Sequence, residues 1–171
     1  MHPINDSLPE NKKELYKILN DQLTLLIGEE KDVIANMANF TSLLYHSLKD
    51  INWLGFYLYK GGELVLGPFQ GRPACIRIAV GQGVCGTAAK TLETIVVNNV
   101  HEFEGHITCD VASNSEIVIP ILYMKKLYGV LDIDSPSFTR FDNDDKAGLE
   151  QLVATLKKKS DLDKEADYFM F

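Results

Sequence analysis

The sequence predicts an α+β fold, with a mainly antiparallel sheet of about six strands, N- and C-terminal helices on one face and a loop-covered pocket on the other. Three observations predict it. Apolar residues recur at helical spacing near both ends of the chain, the period shortens to that of strands between them, and hairpin-type turns join most of those strands. With 171 residues, 46% of them apolar, residues 1–171 are expected to form a single domain around one core.

The elements follow in chain order. Ser7-Leu8-Pro9-Glu10 has the pattern of a capping box, in which hydroxyl and carboxylate each satisfy a free N–H, and predicts a helix start there. Leu15, Ile18, Leu19, Leu23 and Leu26 continue at helical spacing up to a stop at Gly28. Val33, Ile34, Met37, Phe40, Leu44 and Leu48 mark a second amphipathic helix, so the helical segment spans about residues 7–49. The aromatic and apolar run INWLGFYLYK reads as a strand, Gly61-Gly62 as a hairpin turn and ELVLGPF as the returning strand. CIRIAV, residues 75–80, predicts a third strand after a turn at Gly71, Arg72 and Pro73. VCGTAAKT predicts a short helix with Cys85 near its N-terminus, and IVVNN a short fourth strand. Residues 100–114 lack a period and read as a long loop with one helical turn. SEIVIPILY and KLYGVLDIDS form a hairpin around Met124 to Lys126, completing a sheet region of about residues 51–136. Asp142 caps a last helix to about residue 159, with Leu149, Leu152, Val153 and Leu156 on one face. The pattern does not place the tail 160–171.

Composition narrows the function. The net charge of -7 excludes a basic nucleic-acid-binding face, and Lys157, Lys158 and Lys159 sit at a helix end where cations favour the helix dipole. No run of about 20 apolar residues and no secretory leader is evident, so a cytoplasmic location is expected, without membrane contact. Thiols there stay reduced unless they take part in redox chemistry.

Cys75, Cys85 and Cys109 all lie between Gly67 and Asp110, a stretch that also holds six of the twelve glycines. Nine residues separate the first pair and 23 the second, unlike the paired C-x-x-C ligands of structural zinc. His106 and Cys109 are the nearest approach to a metal-ligating pair, but neither a metal site nor any cofactor is expected.

At GPFQGRPACIRI, GVCGTAA, VVNNVHEFEGHITCD, SEIVIPI and GVLDIDSP the chain resembles the free methionine-(R)-sulfoxide reductases, a family of GAF-domain enzymes. The likeness runs from about Asn52 to Asp142. It implies a GAF-like fold and an oxidoreductase that repairs free L-methionine-(R)-sulfoxide to L-methionine, with thioredoxin as electron donor. It also implies that Cys109 is the nucleophile, that Cys75 is its partner in the first disulfide, and that Cys85 is a relay or resolving residue. The alternative is a non-catalytic GAF domain that binds a small molecule or senses redox state. A homodimer through the terminal helices is compatible with either.

The residue types fit that chemistry. A thiolate attacks the sulfoxide sulfur, a proton goes to the oxygen, and a second thiol condenses with the resulting sulfenic acid. His106 and nearby backbone amides are expected to favour the Cys109 thiolate, whereas Asp110 opposes it. Glu116 is the expected proton donor. Asp132 and Asp134 alternate with Ile133, so both face one side of the sheet, where an ammonium group would compensate their charge. Trp53 and Tyr57 share a strand face and are read as a cradle for the S-methyl group. His101 lies in the same loop as His106 and reads as an exposed loop histidine.

Overall fold

The structure, a computed structural model, describes residues 8–105 and 111–163. Helices α1 (Lys12–Ile27) and α2 (Val33–Ser47) lead into strands β1 (Trp53–Lys60), β2 (Glu63–Gly71) and β3 (Arg77–Ala79). Helix α3 (Gly83–Thr91), strand β4 (Ile95–Val97) and a 3-10 turn at Val100–Glu102 follow. The hairpin β5 (Ser115–Tyr123) and β6 (Lys126–Ser135) precedes α4 (Asn143–Lys159). One six-stranded sheet runs β3-β2-β1-β6-β5-β4, and every neighbouring pair is antiparallel.

Strand alternation divides the core in two. Leu54, Phe56 and Leu58 of β1, Ile117 and Ile119 of β5, and Leu131 and Ile133 of β6 face the three long helices, where they meet Leu19, Leu23, Phe40, Leu44, Leu149 and Leu152. Burying each such side chain contributes roughly 1.5–3 kcal/mol, which is what commits this face of the sheet to the helices. The intervening residues Trp53, Tyr57, Val118 and Val130 face the other way, against Val84, Cys85 and Ala88 of α3 and Val97 and Val100 beyond it. The site forms on this second side.

Turn chemistry sets the register. Gly61 and Gly62 both have positive φ, 59° and 93°, as a two-residue hairpin with primed-turn geometry requires. At Gly86 an added Cβ would lie 2.4 Å from the Ala79 carbonyl oxygen, so only glycine lets α3 seat directly on the end of β3.

Two expectations need correction. The first described helix starts at Lys12, capped by Asn11, whose Oδ1 accepts from the Glu14 N–H at 3.1 Å; Ser7 lies outside the described residues. Asn11 caps because it stands next to the first helical residue with a side chain short enough to reach the third amide. Strand β3 covers Arg77–Ala79 alone, not residues 75–80, because the Cys75 carbonyl accepts from the Tyr57 hydroxyl at 3.1 Å and leaves the ladder. The expected cap at Asp142 is present as a full capping box with Asp145.

Asp145 also joins α1 to α4. It is buried, and it accepts from Tyr16 Oη at 2.9 Å, Arg140 at 3.1 Å and the Asp142 N–H at 2.9 Å, with Lys12 as a further partner. A buried carboxylate so fully hydrogen-bonded is compensated for the loss of water.

Candidate active site

Register across β5, β6 and β1 builds the floor of the site. Glu116 pairs with Asp134, which pairs with Trp53, while Val118 pairs with Asp132, which pairs with Gly55. Because residues opposite one another point to the same face, three carboxylates and an indole arrive on the α3 side of the sheet. Glu116 and Asp132 are 5% and 6% exposed, and Asp134 is half-buried.

Helix α3 adds the thiol of Cys85, which is buried and donates to Glu116 Oε1 over 3.9 Å. The ligating atoms of Cys85, Glu116 and Asp132 lie within 4.8 Å of one another. Burial in this carboxylate cluster decides the protonation states. Loss of water first, then the charges of Asp132 and Asp134, holds the Glu116 carboxyl well above its ordinary range. Burial also raises Asp132, to about 6, although hydrogen bonds from Cys85 and Glu116 offset part of the rise. Burial thus raises both carboxyls and favours a proton held within the Glu116–Asp132 pair. Burial and the same two carboxylates push the Cys85 thiol up, so it stays protonated despite its place in the first turn of α3. The Tyr57 phenol is likewise raised, chiefly by burial and next by Asp132.

Asp132 Oδ1 is buried and has no hydrogen-bond partner. A buried acceptor of this kind costs about 1–3 kcal/mol while it stays unpaired. The cluster is thus built to receive a donor.

Trp53 and Tyr57 form the aromatic wall. Both are buried, with ring centroids 5.8 Å apart and planes at 26°; Phe69 stacks on the opposite side of Trp53 at 5.5 Å and 16°. Trp53 Nε1 donates to the Arg72 carbonyl at 3.1 Å, and Tyr57 donates to that of Cys75. These two hydrogen bonds pin the segment after β2 over the pocket side of the sheet. Cys75 is disulfide-bonded, whereas Cys85 is a free thiol.

The structure thus brings Trp53, Tyr57, Cys75, Cys85, Glu116, Asp132 and Asp134 to one side of the sheet. Cys109, His106 and Asp110 lie outside the described residues. The stems of their loop are tied together, since the Val100 N–H donates to the Asn114 carbonyl at 3.0 Å and His101 Nε2 meets Asn114 Oδ1 at 2.9 Å. The sequence reading missed Phe69 as a stacking partner and Arg72 as the anchor of the indole. The alternation within ELVLGPFQG was the available signal for Phe69, and it was read only as a strand.

Comparison with known proteins gives the family and the fold. Residues 40–157 match the GAF domain family. The free methionine-R-sulfoxide reductase of Escherichia coli (strain K12) is 53% identical over 148 residues, 86% of this chain and 90% of that protein. The Neisseria meningitidis free methionine-R-sulfoxide reductase, solved in complex with its substrate, matches with a TM-score of 0.91 at 38% identity, covering 97% of this chain and 99% of that one. The fRMsr of Staphylococcus aureus in complex with substrate gives 0.82 at 49% identity, over 88% and 96% of the two chains. This chain belongs to the GAF-domain family of free methionine-R-sulfoxide reductases.

Proposed function

We propose that the protein reduces free L-methionine-(R)-sulfoxide to L-methionine in the cytoplasm, through a cysteine sulfenic acid and an intramolecular disulfide that thioredoxin recycles. The observation that carries this reading is the buried pair of Glu116 and Asp132, both raised by burial, on the sheet face that also carries the stacked Trp53 and Tyr57. Similar proteins from Staphylococcus aureus and Neisseria meningitidis were solved in complex with substrate, which supports a reductase reading of this chain.

The free amino acid enters with its ammonium toward Asp132, where Oδ1 lacks a donor, and toward Asp134. Its S-methyl group lies against Trp53 and Tyr57 by sulfur–aromatic contact. The Cys109 thiolate attacks the sulfoxide sulfur, Glu116 delivers its proton to the oxygen, and the S–O bond breaks. Methionine leaves with two electrons from the thiolate, and the oxygen remains on Cys109 as sulfenic acid. The Cys75 thiol then displaces hydroxide from that sulfur; the hydroxide takes a proton and leaves as water, and a Cys75–Cys109 disulfide remains. The disulfide at Cys75 and the free thiol at Cys85 support this pairing over one through Cys85. Thioredoxin supplies two thiols and regenerates the dithiol. Cys85, held as a neutral thiol against Glu116, is a poor attacking group and serves as a relay or resolving thiol.

Single-turnover measurements on serine variants test the assignment. Cys109→Ser is expected to release no methionine, because a hydroxyl is a far weaker nucleophile at neutral pH. Cys75→Ser and Cys85→Ser are each expected to release about one equivalent, since the first step precedes resolution. Release by Cys109→Ser together with none by Cys85→Ser would make Cys85 the attacking thiol.

A further inference from the structure

We propose that Cys85, Glu116 and Asp132 form a binding site for a divalent transition-metal ion of the zinc class, and that the bound ion blocks the substrate's ammonium site. The three ligands come from α3, β5 and β6, so their spacing along the chain carries no metal motif and only the packing of α3 on the sheet assembles them. The site appears at the register position of β5 and β6 that brings Glu116 and Asp132 onto one face.

Distance and donor type both fit. Their ligating atoms lie within 4.8 Å of one another, and the sulfur to Glu116 Oε1 separation is 3.9 Å. Tetrahedral zinc, with bonds of about 2.3 Å to sulfur and about 2.0–2.2 Å to oxygen, needs roughly 3.5 Å between such ligands, so modest side-chain rotation closes the set. One thiolate and two carboxylates suit zinc or cobalt(II), whereas magnesium and calcium favour all-oxygen shells. Two negative carboxylates and a thiolate outweigh the ion's charge by one and leave a fourth coordination position open to water.

A second observation points to a ligand here. Asp132 is more than nine-tenths buried, its Oδ1 has no partner, and its carboxylate reaches within 4.8 Å of the ligating atoms of Cys85 and Glu116, so acceptor capacity stands unused at the cluster. Ligation forms one metal–sulfur and two metal–oxygen bonds and releases the protons of Cys85 and Glu116 to solvent; nothing is oxidised or reduced. Because the same Asp132 oxygen takes the ammonium in the proposed reaction, ion and substrate exclude each other. That second clause rests on the proposed function, whereas the site itself does not.

Cobalt(II) titrated into the oxidised protein in chelator-free buffer tests the site. Thiolate-to-cobalt absorption in the near ultraviolet is expected in the wild type and absent in Cys85→Ser. Asp132→Asn should weaken binding by at least the roughly tenfold that even an outer-shell partner costs. Thermal melts of both variants establish that they are folded. No band in the wild type, a band that persists in Cys85→Ser, or undiminished affinity in folded Asp132→Asn overturns the site. Zinc is then added to turnover assays, where it should raise KM for the free sulfoxide and leave kcat unchanged. Tight cobalt binding with KM unmoved by zinc overturns the blocking clause, and tight cobalt binding with no turnover in any condition overturns the proposed function alone.

Discussion

Glu116 and Asp132 lie diagonally across β5 and β6, share one buried environment and are proposed to do opposite things. Glu116→Gln keeps the shape and removes the acidic hydrogen, so the single-turnover rate of methionine release should fall by about a hundredfold or more. An unchanged rate would move the proton to Asp132, Asp134 or water. Asp132→Asn separates function from stability. The folded-state value of Asp132 is raised to about 6, above the ordinary carboxylate value, so its charged form costs stability above pH 6 and that cost fades as pH falls from 6 toward 4. Asp132→Asn should therefore melt a few degrees higher than the wild type at pH 7.5, corresponding to a gain on the order of 1–3 kcal/mol, with the difference shrinking by pH 5. Activity should drop in the same variant. A lower melting temperature at pH 7.5 would mean that Asp132 is stabilised by its surroundings.

At the scale of elements, α1 and α4 are joined through Asp145, which is buried among Lys12, Tyr16 and Arg140. Asp145→Ala strips the α4 capping box and leaves Arg140 and Tyr16 without their shared acceptor. Denaturant unfolding should show a loss of about 3 kcal/mol or more; a loss under about 1 kcal/mol would reduce the network to a surface ion pair. This network was not legible in the sequence, since nothing local relates Tyr16 to Asp145. Element order was legible throughout, because a change of period from helix to strand is written in consecutive residues such as those of INWLGFYLYK. Boundaries were less so. The Ser7 to Glu10 pattern competes with Asn11 for the same role, and the shortening of β3 depends on a hydroxyl 18 residues earlier, at Tyr57.

For the whole molecule, the site is where strand alternation and one long-range helix contact coincide. Alternation around Ile133 announced the facing of Asp132 and Asp134, but the contact of Cys85 with Glu116 needs α3 seated on β3 at Gly86. No helix among the described residues is long and apolar enough to cross a membrane. On the proposed pairing of the substrate's ammonium with the buried carboxylates there is no place for a neutral amide, so N-acetylated or peptide-internal methionine sulfoxide should react at least tenfold more slowly than the free amino acid, through the unpaired buried charge left behind. Comparable kcat/KM for the two substrates would remove the ammonium contact. The central claim is tested most directly by mixing the fully reduced protein with excess free L-methionine-(R)-sulfoxide, without added reductant, and counting both methionine and remaining thiols. The account predicts about one equivalent of methionine per chain and the loss of two of the three thiols, with Cys85 the one that stays reduced. No methionine, or methionine released with all three thiols intact, would contradict it.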